Sequence, residues 1–236
     1  MEHVLNQLLE RLQKAYQERL VSVALYGSAA VGDHQERFSD INILCVLRQV
    51  TPRELAESAS IFRWWRELDN PSPLLLSADE VRTSTDCFPI EFHDIRERHR
   101  ILYGEELFTG LEIDDCFYRS QVEYELRSKL LRLRQKAAGA LGDKDLLRRL
   151  LADSLSTFCV LFRHALVLSG VPARFEKRQV IAQAAEKYGL DPEPFLALLD
   201  LREQKIKPRD LNPGPLFERY LKQIQVVVDA VDRLEK

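Results

Sequence analysis

The chain has 236 residues, 45% hydrophobic and 30% charged, with a formal net charge of −3, the make-up of a globular protein long enough for one large core or two modest ones. No apolar run approaches the ~20 residues needed to cross a bilayer, and the opening MEHVLNQLLE lacks the basic stretch and apolar block of a secretory leader; a cytoplasmic protein with no membrane partner is expected. Residues 1–111 carry 12 Lys+Arg against 18 Asp+Glu and the remainder 22 against 19, an excess too small for a dedicated nucleic-acid binder.

Val4, Leu5, Leu8, Leu9, Leu12, Tyr16 and Leu20 recur at intervals of three and four, the buried stripe of an opening helix. Val21–Tyr26 reads as a buried strand broken by Gly27, and Ile41–Leu47 as a second strand rich in β-formers. Thr51-Pro52-Arg53-Glu54 combines a capping hydroxyl, a proline at the first helical position and a glutamate at the third. That signal predicts a helix to about Leu68, stopping before Asn70-Pro71. Leu74–Leu76 is a third strand, followed by a second capping box, Ser77-Ala78-Asp79-Glu80. Ile90–Ile95 is the fourth predicted strand.

Beyond Asp114-Asp115 only helical spacing remains. Helices are predicted from Cys116 to about Leu141, over Lys144–Ser169 and Glu176–Tyr188, and from Leu216 to the end. Gly142, Gly170-Val171-Pro172, Gly189 with two prolines, and the stretch Pro208–Pro215 separate them. The expected fold class is α+β: a mixed sheet with helices over residues 1–112, then an all-α helical bundle over 113–236. Cys45, Cys87, Cys116 and Cys159 show no Cys-x-x-Cys spacing and are expected as buried thiols.

The candidate chemistry lies in LYGSAAVGDHQERFSDINILCVL, Leu25–Leu47. Gly27 lets the backbone approach a ligand closely, and Ser28 with the following N–H groups makes a small nest suited to phosphate. Strand alternation puts residues 40 and 42 on one face and Ile41 and Ile43 on the other. Two acids there would share a divalent cation, but the pair is Asp40 and Asn42. Glu91, in FPIEFHDI, would bring a further carboxylate from another strand; by the same alternation His93 lies beside it and Asp94 faces away.

The order Gly-Ser, a loop of about ten residues, Ser-Asp-x-Asp-hydrophobic, and a third acid on a later strand resembles the signature of the polymerase-beta-type nucleotidyltransferase superfamily. The likeness covers roughly the first 110 residues, with RILYGEELF similar to the usual exit from such a domain. Leu161–Gly170 resembles the helical companion domain of kanamycin- and lincosamide-type nucleotidyltransferases and the related HEPN bundles. The resemblance implies that Gly27 and Ser28 cradle a nucleoside triphosphate and that Asp40, position 42 and Glu91 surround Mg²⁺ (or Mn²⁺). It also implies that Glu91 activates the hydroxyl of a small-molecule acceptor.

Asn42 departs from that pattern. Its amide oxygen can coordinate Mg²⁺ but brings no charge. Unit charges ~4 Å apart interact by ~4 kcal/mol at an effective dielectric of ~20, so even a discounted loss would slow catalysis about a hundredfold. Two readings stay open: an active transferase of nucleoside monophosphate, and a catalytically degenerate module that binds a nucleotide or a regulatory partner.

Arg96-Glu97-Arg98-His99-Arg100 reads as a solvated face or a polyanion contact, and Arg127, Lys129, Arg132, Arg134 and Lys136 as the polar side of one helix. Arg163-His164, adjacent on a helix, should diverge by ~100°, which does not meet the spaced arginine and histidine of HEPN ribonucleases. Trp64-Trp65 reads as core and rim packing. Leu-rich bundle faces leave a homodimer open.

Overall fold

The computed structural model describes residues 1–31 and 41–234. The chain divides into two compact units, Met1–Asp115 and Cys116–Lys236. The first contains α1 (Glu2–Tyr16), β1 (Leu20–Tyr26), β2 (Asn42–Leu47), α2 (Pro52–Glu67), β3 (Leu74–Ser77), α3 (Ala78–Thr83), α4 (Pro89–Glu97) and β4 (His99–Gly104). The strands run in the order β3-β2-β1-β4, with β1 antiparallel to β2 and β4, and β2 parallel to β3. This is the mixed sheet the sequence predicts.

Alternation sorts the central strands between two layers. Val23, Leu25, Ile43, Cys45 and Leu47 pack with Leu5, Leu8, Leu12 and Tyr16 of α1 and with Ile61 and Trp65 of α2. Each fully buried leucine there contributes roughly 1.5–3 kcal/mol. Trp65 also satisfies its indole by donating to the Pro71 carbonyl at 2.9 Å, as a buried tryptophan must. The other layer joins Ala24, Leu44 and Val46 to Val81 of α3, Phe92 and Ile95 of α4, and Phe108.

Both predicted capping boxes form. Thr51 accepts from the Arg53 N–H while Glu54 accepts from the Thr51 N–H, and Ser77 and Glu80 exchange the same pair of bonds. Glu54 is further fixed by Arg19, at 2.6 Å, and that guanidinium also reaches Glu57 at 2.6 Å.

One element differs from its predicted type. Residues 90–95 are helical, within α4, and the fourth strand is His99–Gly104. Ile90, Phe92 and Ile95 satisfy a period of two over three residues and a helical period over six, so the short run is ambiguous by pattern alone. Pro89 decides it, because it occupies the first helical turn where its missing N–H costs nothing. On a strand, Asp94 would have shared the buried face with Ile90 and Phe92.

The second unit is all helical: α5 (Tyr118–Ala138), α6 (Lys144–Leu168), α7 (Lys177–Tyr188), α8 (Glu193–Arg202) and α9 (Pro213–Asp232). Its centre is an aromatic cluster in which Phe162 meets Phe195 edge-on at 5.3 Å, and Tyr220 lies against Phe158 and Phe195. The sequence reading did not anticipate α8, because prolines flank its start; Pro194 sits in its first turn. By length and hydropathy the 25-residue α6 could cross a bilayer, contrary to the sequence reading. Here its apolar side, including Leu151, Leu155, Phe158 and Phe162, forms the bundle core.

Two further expectations change. Cys45 and Cys159 are buried, but Cys87 and Cys116 are exposed. Arg163 and His164 are both buried and converge, with the Arg163 Nη2 3.2 Å from His164 Nε2. Tyr118 Oη lies 2.6 Å from His164 Nδ1, and the Arg163 guanidinium stacks 4.1 Å from the Phe175 ring. Burial pushes that guanidinium down to about 10.

Candidate functional site

The site is built at the end of β1 where the chain leaves the sheet. Tyr26, the last residue of β1, pairs with Asn42 on one side and His99 on the other. Gly27 then takes a left-handed conformation, φ +78°, and Ser28 follows within the short 3₁₀ turn Gly27–Val31. The Gly27 N–H donates to the Arg98 carbonyl at 3.0 Å. A Cβ placed on Gly27 would meet Asn42 Nδ2 at 3.3 Å. The bend therefore rests on the first side chain of β2 and on the residue between α4 and β4.

Asn42 belongs to the face that carries Leu44 and Val46, the side packed by α4. Ile41 and Ile43 lie with the opposite layer. Asp40, predicted as a metal ligand, lies outside the described residues.

Glu91 comes from α4 rather than from a strand. Phe92 and Ile95 anchor the helix to the sheet, leaving Glu91 exposed and Asp94 half-buried. Positions 91 and 94, three apart, share one side of the helix, which ends at Glu97 before Arg98. Burial first, and the negative charge of Glu91 second, push the Tyr26 phenol up to about 12, so Glu91 lies within electrostatic reach of the strand end. Gly27 and Asn42 thus meet at one end of β1, with Ser28 next in the chain, and the Glu91 charge is felt at Tyr26 beside them.

His93 turns away from this side. Its Nε2 lies 2.6 Å from Asp115 Oδ1, and Arg96 bridges its Nδ1 to the Leu111 carbonyl. His99 bonds the Ile95 carbonyl and Glu106, and Arg100 pairs with Glu2. Arg96, His99 and Arg100 of the basic run therefore make contacts within the unit. The α5 cations do likewise: Arg127 pairs with Glu123 and Asp232, Lys129 with Glu125, and Arg134 donates to Gln225.

Sequence reasoning missed Tyr26 and the helical side shared by Glu91 and Asp94. The signal for it was present in Pro89, which starts a helix and so brings 91 and 94 to one side. Among the described residues no three His, Cys, Asp or Glu side chains gather as a metal cage. The donors at this end are oxygens, which suit Mg²⁺, and that ion takes one or two carboxylates and fills its shell with water and substrate phosphates. An asparagine amide oxygen and a glutamate carboxylate are of that donor type.

The family model described as a nucleotidyltransferase domain matches residues 5–136. That is more than half of the sequence, and the chain belongs to this family. Among solved structures, the spectinomycin adenyltransferase AAD(9) from Enterococcus faecialis, crystallised with ATP and spectinomycin, is similar with a TM-score of 0.63 and 11% identity over 98% of this chain and 99% of that one. The likeness is one of fold: a mixed sheet with helices followed by a helical C-terminal part. A mutant of the toxin–antitoxin pair MntA-HpeT aligns over 43% of this chain and 74% of that one, with 18% identity and a TM-score of 0.31. No curated protein matches in sequence.

Proposed function

We propose that the chain transfers a nucleoside monophosphate from a nucleoside triphosphate to the hydroxyl of a small molecule. The observation that carries this reading is the left-handed Gly27 set against Asn42 at one end of β1, where the Glu91 charge is also felt at Tyr26. The fold supports it too, since the similar enterococcal adenyltransferase was crystallised with ATP and spectinomycin. We assign the protein to the cytoplasm, where its cysteines stand as thiols.

In the reaction the acceptor oxygen bonds to the α-phosphorus as that phosphorus loses its bond to the bridging oxygen. Pyrophosphate leaves with the electron pair, and the acceptor proton passes to the Glu91 carboxylate. The N–H groups that follow Gly27 would face the phosphates, where no side chain at 27 blocks their approach. Asp40 and Asn42 would hold Mg²⁺, which when bound neutralises charge on the phosphate oxygens.

The test is incubation of the full chain with each nucleoside triphosphate, Mg²⁺ or Mn²⁺, and a panel of hydroxylated acceptors, with pyrophosphate release as readout. Release should fall at least about a hundredfold in Asp40→Ala. The neutral Asn42 amide against Gly27 favours a second reading, a nucleotide-binding module without turnover. Nucleotide binding without pyrophosphate from any acceptor selects it; absence of both sinks either reading.

A further inference from the structure

We infer that the exposed face of α5 is an interface at which a second copy of this chain docks, the two α5 helices running antiparallel and crossing at Ser128. The inference stands apart from the transferase reading. Phe117, the N-cap residue, and Tyr124 and Leu131 within the helix are 58%, 64% and 56% exposed. They lie seven residues apart, close to two helical turns, and so form one row about 21 Å long. The opposite side of the helix, with Val122, Leu126, Leu130, Leu133 and Ala137, is buried. Single exposed apolar residues need no explanation, but large ones aligned on one helix face mark a surface that meets a partner.

The occupant follows from how the row complements itself. Tyr124, Glu125, Ser128, Leu131 and Arg132 line a shallow groove on this face. When two such helices run antiparallel about Ser128, Tyr124 and Glu125 of each copy face Leu131 and Arg132 of the other. Apolar side chains meet apolar ones, acid meets base, and the two-fold axis makes every contact twice. Ser128, small, lets the backbones approach at the axis. Phe117 arrives over Ala138 and Gly139, which are exposed and leave room for its ring. A parallel pair would instead set Arg132 against Arg132 and Phe117 against Phe117.

The other charges near the axis allow this approach. Arg127 pairs with Glu123 and Asp232, and Lys129 with Glu125 at 3.3 Å, so neither cation meets the second copy uncompensated. Arg132 is exposed and has no ion pair among the described residues. The Glu125 pair with Lys129 spans one exposed helical turn and holds the carboxylate weakly, which leaves it able to accept the Arg132 guanidinium of the second copy. Charges that flank an apolar seam in this way set the direction in which helices pair.

The experiment is sedimentation velocity on the full chain over a micromolar concentration series, for the unmodified protein, Leu131→Glu, Arg132→Glu, Glu125→Arg and the double reversal Glu125→Arg with Arg132→Glu. The unmodified protein should sediment as a dimer of 27.4 kDa chains. Leu131→Glu and each single reversal should weaken association at least about tenfold. The double reversal should restore it, because acid and base then exchange places across the axis. Leu131 and Arg132 are exposed, and matching thermal melts show that the fold persists in every variant. An unmodified chain that stays monomeric throughout overturns the proposal, and so does a dimer that survives Leu131→Glu or a double reversal that restores nothing. Flotation with vesicles of anionic phospholipid tests a different occupant: a monomeric chain that floats with them, and ceases to in Leu131→Glu, gives this face to a lipid surface and removes the second copy from it.

Discussion

β1 begins and ends beside a glycine of similar conformation, and the two ends of the strand do opposite things. Gly104, the partner of Ser22 near the start of β1, has φ +80°, and Gly27 at its finish has φ +78°. A Cβ on Gly104 would lie 2.0 Å from the Val21 carbonyl oxygen, backbone against backbone. A Cβ on Gly27 would meet, among the described residues, a side-chain amide at 3.3 Å. At the first end the backbone closes on the glycine itself, beside a surface cavity lined by Leu20, Val21, Tyr103 and Glu105, while Ser22 Oγ donates to the Glu105 carbonyl at 2.7 Å and Arg19 clamps Glu54 and Glu57. At the second, the described neighbour of the same backbone twist is a polar side chain rather than backbone. A left-handed glycine is thus enforced by packing at Gly104, whereas at Gly27 the proposed function gives it a part in binding.

The largest expected effect tests the closed end. Gly104→Ala combines a left-handed penalty of ~1–2 kcal/mol with an overpacking cost of ~1–3 kcal/mol, so urea denaturation should show a loss of about 2–5 kcal/mol. A loss below ~1 kcal/mol would mean that β4 slides past Val21 at little cost, and the contrast between the ends would dissolve. Gly27→Ala should cost only the left-handed penalty, ~1–2 kcal/mol, yet weaken nucleotide binding far more than Gly104→Ala does in the fraction that remains folded. Calorimetric titration with a non-hydrolysable nucleotide on both variants reads this directly. Equal binding losses would remove the functional distinction.

The closed end was legible in sequence, and the open end only in part. Thr51-Pro52-Arg53-Glu54 and Ser77-Ala78-Asp79-Glu80 announce helix starts through local hydrogen bonds that need no tertiary partner. The leucines of α1 repeat long enough for their period to be unambiguous. Ile90–Ile95 is too short for that, and the geometry of the acids depends on it: as a strand it sets Asp94 against Glu91, and as a helix it puts them one turn apart. Gly27 and Asn42 are adjacent through strand pairing, which the alternation of Ile41–Leu47 suggested without giving the register. The convergence of Arg163 with His164 and Tyr118 depends on how helices pack, and adjacency in sequence pointed the other way.

The smallest effect separates the two ends by pH. Glu54 is held down to about 2, first by the Thr51 hydroxyl and then by Arg19, and Arg19 also lowers Glu57. A carboxylate whose folded value lies below its unfolded one stabilises the fold above the unfolded value and loses that contribution as the pH falls through the folded one. Stability from this cluster should therefore be whole above the ordinary glutamate value, 4.5, and drain away between there and about 2. Thr51→Ala removes the largest cause and a helix cap worth ~1 kcal/mol, so it should lower stability at neutral pH and flatten the acid loss. Denaturant midpoints measured from pH 7 to 2 on both proteins check this. The open end supplies the control: Asn42→Ala removes a side chain that does not titrate, and its midpoints should run parallel to those of the unmodified chain at every pH. If the unmodified chain and Thr51→Ala lose stability equally on acidification, the clamp at the start of β1 does not account for acid sensitivity, and its role in closing that end is wrong.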